Sequence, residues 1–156
     1  MAEHPCFETL NRATKAWTLG RRNQAFALAE AAWRMVQDIP GAPPQAGLVG
    51  SWFGYLLARV DGKLGEGLEL VRQAADTTFW EPRVFEHLAV LELEAGSRRR
   101  CLNALRRGLA LAPDDPDLSR LRRRLGIRRR PPVGFLDRRH PINRLLGQMR
   151  RGSNPA

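Results

Sequence analysis

Residues 82–115, PRVFEHLAVLELEAGSRRRCLNALRRGLALAPDD, hold two helix-length apolar patterns separated by one glycine and closed by a proline. In the first pattern Phe85, Leu88, Ala89, Leu91 and Leu93 recur near helical period. Pro82 precedes them, where a first-turn proline gives up no hydrogen bond. Gly96 ends that run. Beyond it Cys101, Leu102, Leu105, Gly108 and Leu109 recur at helical spacings until Ala112-Pro113-Asp114-Asp115-Pro116 forbids further helix. The stretch therefore predicts one complete helical hairpin.

A shift of 34 residues shows that this hairpin is not alone, because it lays Gly62 on Gly96, Gly67 on Cys101, Leu68 on Leu102, Val71 on Leu105 and Ala74 on Gly108. Gly20, Ala25 and Ala32 repeat the same internal spacing. Three hairpins are expected, over about residues 6–39, 48–81 and 82–115, with residues 40–47 as an extra proline-rich connection. The residue types have a physical reason. Helices approach to about 8–10 Å only where something small lies at the crossing, which makes Ala13, Ala25, Ala32, Gly67, Ala74, Ala89, Cys101 and Gly108 close-contact positions. Gly20, Gly62 and Gly96 suit the left-handed residue that ends a helix. A single hairpin cannot bury its own apolar face, so stacking is required.

Period, paired helices and small crossing residues together resemble the tetratricopeptide repeat. The third copy carries the resemblance best, through Phe85, Leu88, Ala89, Cys101, Leu105, Gly108 and Pro113. The middle copy keeps Gly62, Gly67, Val71 and Ala74 but has Tyr55 where a small residue is expected and Phe79 in place of the proline. The first keeps Ala13, Gly20, Ala25 and Ala32 and lacks the proline. The implied fold is all-α: an α-solenoid of about three tetratricopeptide-like helical hairpins with an end helix and a basic C-terminal extension. In that family the first helices of the hairpins line a concave face. Carried over, the resemblance implies a groove of Phe7, Leu10, Thr14 and Trp17, then Val49, Trp52, Leu56 and Arg59, then Arg83, Glu86, Val90 and Leu93. Phe7, Leu10, Trp17, Trp52, Leu56, Arg59, Arg83, Val90 and Leu93 are the expected contacts of a partner. The lysines and asparagines with which some members clamp a terminal carboxylate are absent there, so the expected ligand is an apolar helix or an extended apolar peptide.

Charge is unevenly placed. Residues 1–115 carry 14 basic and 14 acidic side chains, whereas residues 116–156 carry 12 arginines against Asp117 and Asp137. The formal net charge of +10 thus resides in the last 41 residues. Residues 1–126 are read as the repeat domain, with an end helix over 116–126 that Asp115 caps and Leu118, Leu121 and Leu125 anchor. Residues 127–156 are read as an Arg/Pro-rich extension with a short amphipathic helix over 141–151, where Ile142, Leu145, Leu146 and Met149 align. Arg122, Arg123, Arg124, Arg128, Arg129 and Arg130 are candidates for an anionic partner. Arg138, Arg139, Arg144, Arg150 and Arg151 continue that set. The anionic partner would be nucleic acid or an acidic lipid surface; for the apolar stripe three homes are open: the chain's own repeats, a partner protein, or an anionic membrane surface.

For catalysis the sequence offers little. His4, His87 and His140 stand in no triad or metal-ligand spacing, and His87 reads as a surface or edge residue. Cys6 and Cys101 are read as packing residues rather than a disulfide or zinc pair. No cofactor and no metal are called for. No window approaches a membrane span, and the first residues lack the pattern of a signal peptide, which places the expected location in the cytoplasm or at the inner face of a membrane. The expected function is a non-enzymatic interaction module or adaptor. The alternatives are a nucleic-acid-binding or membrane-peripheral protein acting through its tail, and a small cytoplasmic chaperone for a secreted or membrane client. Oligomeric state stays open.

Overall fold

The computed structural model describes residues 4–41 and 43–126. It divides into Met1–Arg124 and Leu125–Ala156, and of the second unit only Leu125 and Gly126 are described. The tail arginines from Arg128 onward and the helix expected over residues 141–151 lie outside the described residues.

Among the described residues the regular structure is seven α-helices: α1 Pro5–Thr18, α2 Arg22–Gln37, α3 Ala46–Val60, α4 Leu64–Thr77, α5 Pro82–Glu94, α6 Arg98–Leu111 and α7 Pro116–Arg124. They pack as hairpins α1/α2, α3/α4 and α5/α6, with α7 against α5 and α6. Each hairpin touches only its neighbours along the chain: α1 and α2 meet α3, α5 meets α3 and α4, and no contact joins the first hairpin to the third.

Local chemistry sets the boundaries. Gly20, Gly62 and Gly96 end α1, α3 and α5 at φ of +74°, +76° and +75°, as the hairpin spacing predicts. The N–H of Arg21 then donates to the Ala16 carbonyl at 2.9 Å and that of Ser97 to the Glu92 carbonyl at 2.8 Å, closing the last turn. Proline opens three helices. His4 accepts from the Cys6 N–H ahead of Pro5, Glu81 from the Arg83 N–H ahead of Pro82, and the Asp115 carboxylate from the N–H groups of Asp117 and Leu118 at 2.9 Å.

All eight small crossing residues are buried. At the α3/α4 crossing two glycines face one another: a Cβ on Gly54 would stand 2.6 Å from the Gly67 carbonyl, and one on Gly67 would collide with the Gly54 carbonyl. Gly108 leaves room for Leu118 of α7, which is fully buried over Phe85 and so seals the third hairpin. Cys6 and Cys101 are buried free thiols, as their packing role requires. The inserted loop is tied down as well. The Thr78 hydroxyl donates to the Pro44 carbonyl at 3.3 Å, across a space that Gly47 leaves open by having no side chain.

Candidate functional site

A cleft of about 600 Å³ lies where the first helices of the hairpins come together. Its walls are Thr14, Trp17 and Thr18 from α1, Leu48, Trp52 and Tyr55 from α3, Arg83, Glu86 and His87 from α5 with Glu81 at its cap, and Asp117 from α7.

The floor is a cluster of rings. Tyr55 stacks on His87 with centroids 4.5 Å apart, while Trp17 and Trp52 meet Tyr55 edge-on at 5.8 and 6.2 Å. Trp52 also meets the His87 ring at 4.6 Å. Such edge and stacked contacts each add about 0.5–1.5 kcal/mol beyond burial, enough to hold the floor in shape before any ligand arrives. The Arg59 guanidinium lies 5.9 Å over the Tyr55 ring and is paired with Glu94. Burial pushes the Tyr55 phenol up, with Arg59 opposing, so it stays protonated at neutral pH.

His87 is a finding against expectation. The sequence suggests a surface or edge histidine, yet it is 3% exposed. Its Nδ1 is 2.8 Å from the hydroxyl of Ser51, which is fully buried. Burial, helped by the Arg83 charge, drops the imidazole pKa to about 3. A serine beside a histidine can be a nucleophile and its base; here Ser51 is fully buried, and His87 borders the cleft with only 3% of its surface exposed. The pair fastens α3 to α5 and fixes the ring on which Tyr55 rests.

The α5/α7 end of the cleft is ionic. Arg83 pairs with Glu86 and reaches Asp117 at 3.5 Å, and Arg120 holds the other Asp117 oxygen at 2.8 Å. Burial pushes the Glu86 carboxyl up against the opposing pull of Arg83. Aromatic surface on α1 and α3 thus faces a charged rim on α5 and α7. The cleft has a direction.

Of the residues expected in the groove, Trp17, Trp52 and Arg83 line the cleft together. Thr14 and Glu86, which the same carry-over placed there, do so too. Leu10 and Leu56 do not: they are buried, Leu10 with Cys6, Ala32, Val36 and Val49, and Leu56 with Ala13, Ala16, Ala25 and Ala29. Each is consumed in packing between the first two hairpins, where helices of adjacent repeats touch one another instead of a ligand. Phe7 is half-buried on the first of those clusters. Arg59 is exposed beside Tyr55, and Val90 and Leu93 are half-buried and lie off the cleft. Arg122, Arg123 and Arg124 are exposed at the end of α7.

Tyr55, Leu48 and His87 were missed by reading the repeat pattern. The signal for Tyr55 was its very departure from a small residue. Gly54, one position earlier, supplies the close crossing, which frees the next side chain to turn into the cleft. Among the described residues no group of three or more histidine, cysteine or acidic side chains is placed to hold a metal ion, and no helix is long and apolar enough to cross a membrane.

No family model matches the sequence, and no curated protein does. Among solved structures the chain is similar to PcrH, crystallised in complex with the chaperone binding region of PopB, with a TM-score of 0.55 at 18% identity over 81% of this chain and 95% of the matched one. At that identity the likeness is one of architecture, and together with the 34-residue period and the stacked hairpins it makes this chain a tetratricopeptide-like helical-repeat protein in fold.

Proposed function

We propose that this protein is a non-enzymatic peptide-binding adaptor or chaperone whose concave cleft takes an apolar helix or extended segment of a client protein. The observation that carries this is the preformed aromatic floor, with Trp17, Trp52 and Tyr55 half-buried and still open to a ligand. Large aromatic side chains in such a setting are typical anchors, worth about 2 kcal/mol or more each when a partner covers them. PcrH, which shares the fold, was crystallised with a segment of another protein, and that supports reading this cleft as a seat for a segment of a client. Within this reading the protein would act as a chaperone in the cytoplasm for a secreted or membrane client. Residues 1–126 would do this work, and residues 127–156 would form a distinct basic extension offering a secondary contact to anionic partners.

The test is affinity purification with the full chain and with Thr14→Arg, which puts a long cation into the mouth of the cleft from a half-exposed position. A client retained by the parent should be depleted about tenfold or more by the variant at unchanged helical circular dichroism. Equal recovery would remove the cleft as the binding site.

A further inference from the structure

Helices α2 and α4 both pack on α3, but no Cα of one comes within 8 Å of a Cα of the other, which leaves a groove on the back of the first two hairpins. Two cavities, of about 750 and 530 Å³, run along it and share Leu70 in their walls. The floor is α3, through Gly50, Phe53 and Leu57. Phe26 and Trp33 of α2 flank Phe53 with centroids 6.0 and 6.3 Å away and both pairs of rings inclined by 18°. Three nearly parallel half-buried rings therefore form an apolar strip outside the concave cleft.

The rim is acidic at one end. Glu30, Asp61, Glu66 and Glu69 line the larger cavity against Lys63 as its single basic residue. Asp61 and Lys63 neutralise one another at 2.9 Å, Arg34 takes Glu30 at 2.6 Å, and Arg72 meets Glu69 loosely at 3.8 Å. Glu66 has no ion-pair partner among the described residues. Gly65 beside it has open space where a side chain would stand, which keeps the rim low.

We infer that this groove is a second docking surface, for a short amphipathic helix of a partner protein whose apolar stripe is flanked by lysine or arginine. The occupant should be a helix because both walls are helices, with their backbone groups already paired. A helix needs no backbone hydrogen bonds from such walls, because it satisfies its own. It should be basic because an apolar floor beside Glu66 and Glu69 discriminates by charge as well as by burial. The surface lies apart from the concave cleft, and the two share no lining residue.

Full-length protein is titrated by fluorescence anisotropy with a designed labelled helix bearing leucines at i, i+3, i+4 and i+7 and lysines on both flanks, and with the same helix carrying glutamates for the lysines. The lysine helix should bind, weaken with added salt, and lose about tenfold or more in affinity for Glu66→Lys/Glu69→Lys, while Thr14→Arg in the concave cleft leaves it unchanged. The glutamate helix should bind at least about tenfold more weakly than its counterpart. No binding, equal binding of both helices, or loss on Thr14→Arg in place of the rim variant would each overturn the assignment. Two further occupants are separated by two measurements, each counting against the proposal: a chain ending at Gly126 that binds the lysine helix where the full chain does not would give the groove to the chain's own extension, and a dimer that Glu66→Lys/Glu69→Lys turns into monomer in sedimentation would give it to a second copy.

Discussion

Two glycines two positions apart on α4 should respond to the same substitution with opposite signs. A Cβ on Gly67 would collide with the Gly54 carbonyl and stand 3.0 Å from the Ala58 methyl, so Gly67→Ala forces α3 and α4 apart. We expect a loss of about 1–3 kcal/mol, against which alanine's better helix propensity returns only about 1. Gly65 meets nothing, and Gly65→Ala should stabilise by about 0.5 kcal/mol. Urea midpoints of the two variants check both signs at once. His87 supplies a pH test at the same scale. Its folded pKa of about 3 lies below the ordinary 6.5, so the unfolded chain takes up a proton the folded chain refuses. Its stabilising contribution is full above pH 6.5 and falls as pH drops from there towards 3, by at most about 1.4 kcal/mol per pH unit. Stability measured between pH 6 and 4 should fall less steeply in His87→Gln than in the parent. Equal slopes would mean that the imidazole is wet. The sequence spoke clearly at this scale where a residue had to be small, because a crossing tolerates nothing else. It was silent on His87, since no spacing reveals that Ser51, 36 residues earlier, offers its hydroxyl.

Among the described residues, one nearly buried carboxylate forms an ion pair between helices. Arg72 of α4 donates from Nε and Nη2 to one oxygen of Glu92 on α5, at 2.9 and 2.8 Å. The Glu92 side chain is 3% exposed, and its other oxygen has no hydrogen bond, with Arg100 only within 4.0 Å. Removing the cation strands a carboxylate in the interior. Arg72→Ala should cost about 2–3 kcal/mol, less than a fully buried pair would because Arg72 itself is partly exposed, while Arg72→Met with Glu92→Leu should regain most of it. Thermal unfolding of the three proteins decides. Glycines at 20, 62 and 96 placed the hairpin turns because a left-handed helix end has few other solutions. The groove was read less well. A 3.6-residue period tells which side of a helix is sheltered, but it does not say whether the shelter is the next hairpin or a bound ligand. Leu10 and Leu56 are sheltered by the neighbouring hairpin, whereas Trp17 and Trp52 stay half-buried along the cleft.

For the molecule as a whole, α7 decides where the repeat body can be cut. Leu118 and Leu121 are buried against the third hairpin and fill the space that Gly108 opens. A chain ending at Asp115 would lose both and uncover Phe85, so it should be less stable than one ending at Gly126 by about 3 kcal/mol or more. Comparison of the two melting curves tests this, and the shorter chain is a poor control for binding. The balance of 14 basic and 14 acidic residues up to Asp115 marked that boundary by charge, yet the physical edge lies beyond it, at the end of a helix whose exposed face is arginine and whose hidden face is leucine.

Contacts that run only between sequence neighbours make the array a chain of links, each dependent on the one beside it. Opening of the middle hairpin strips cover from both others, whereas α7 can lift away and leave two interfaces intact. Amide protons should therefore exchange in an order set by position along the array: α7 first, then the outer helices, and α3 and α4 last. A client that bridges α1, α3 and α5 would fasten three links with one contact, and its presence would be felt as slowed exchange even in helices it never touches.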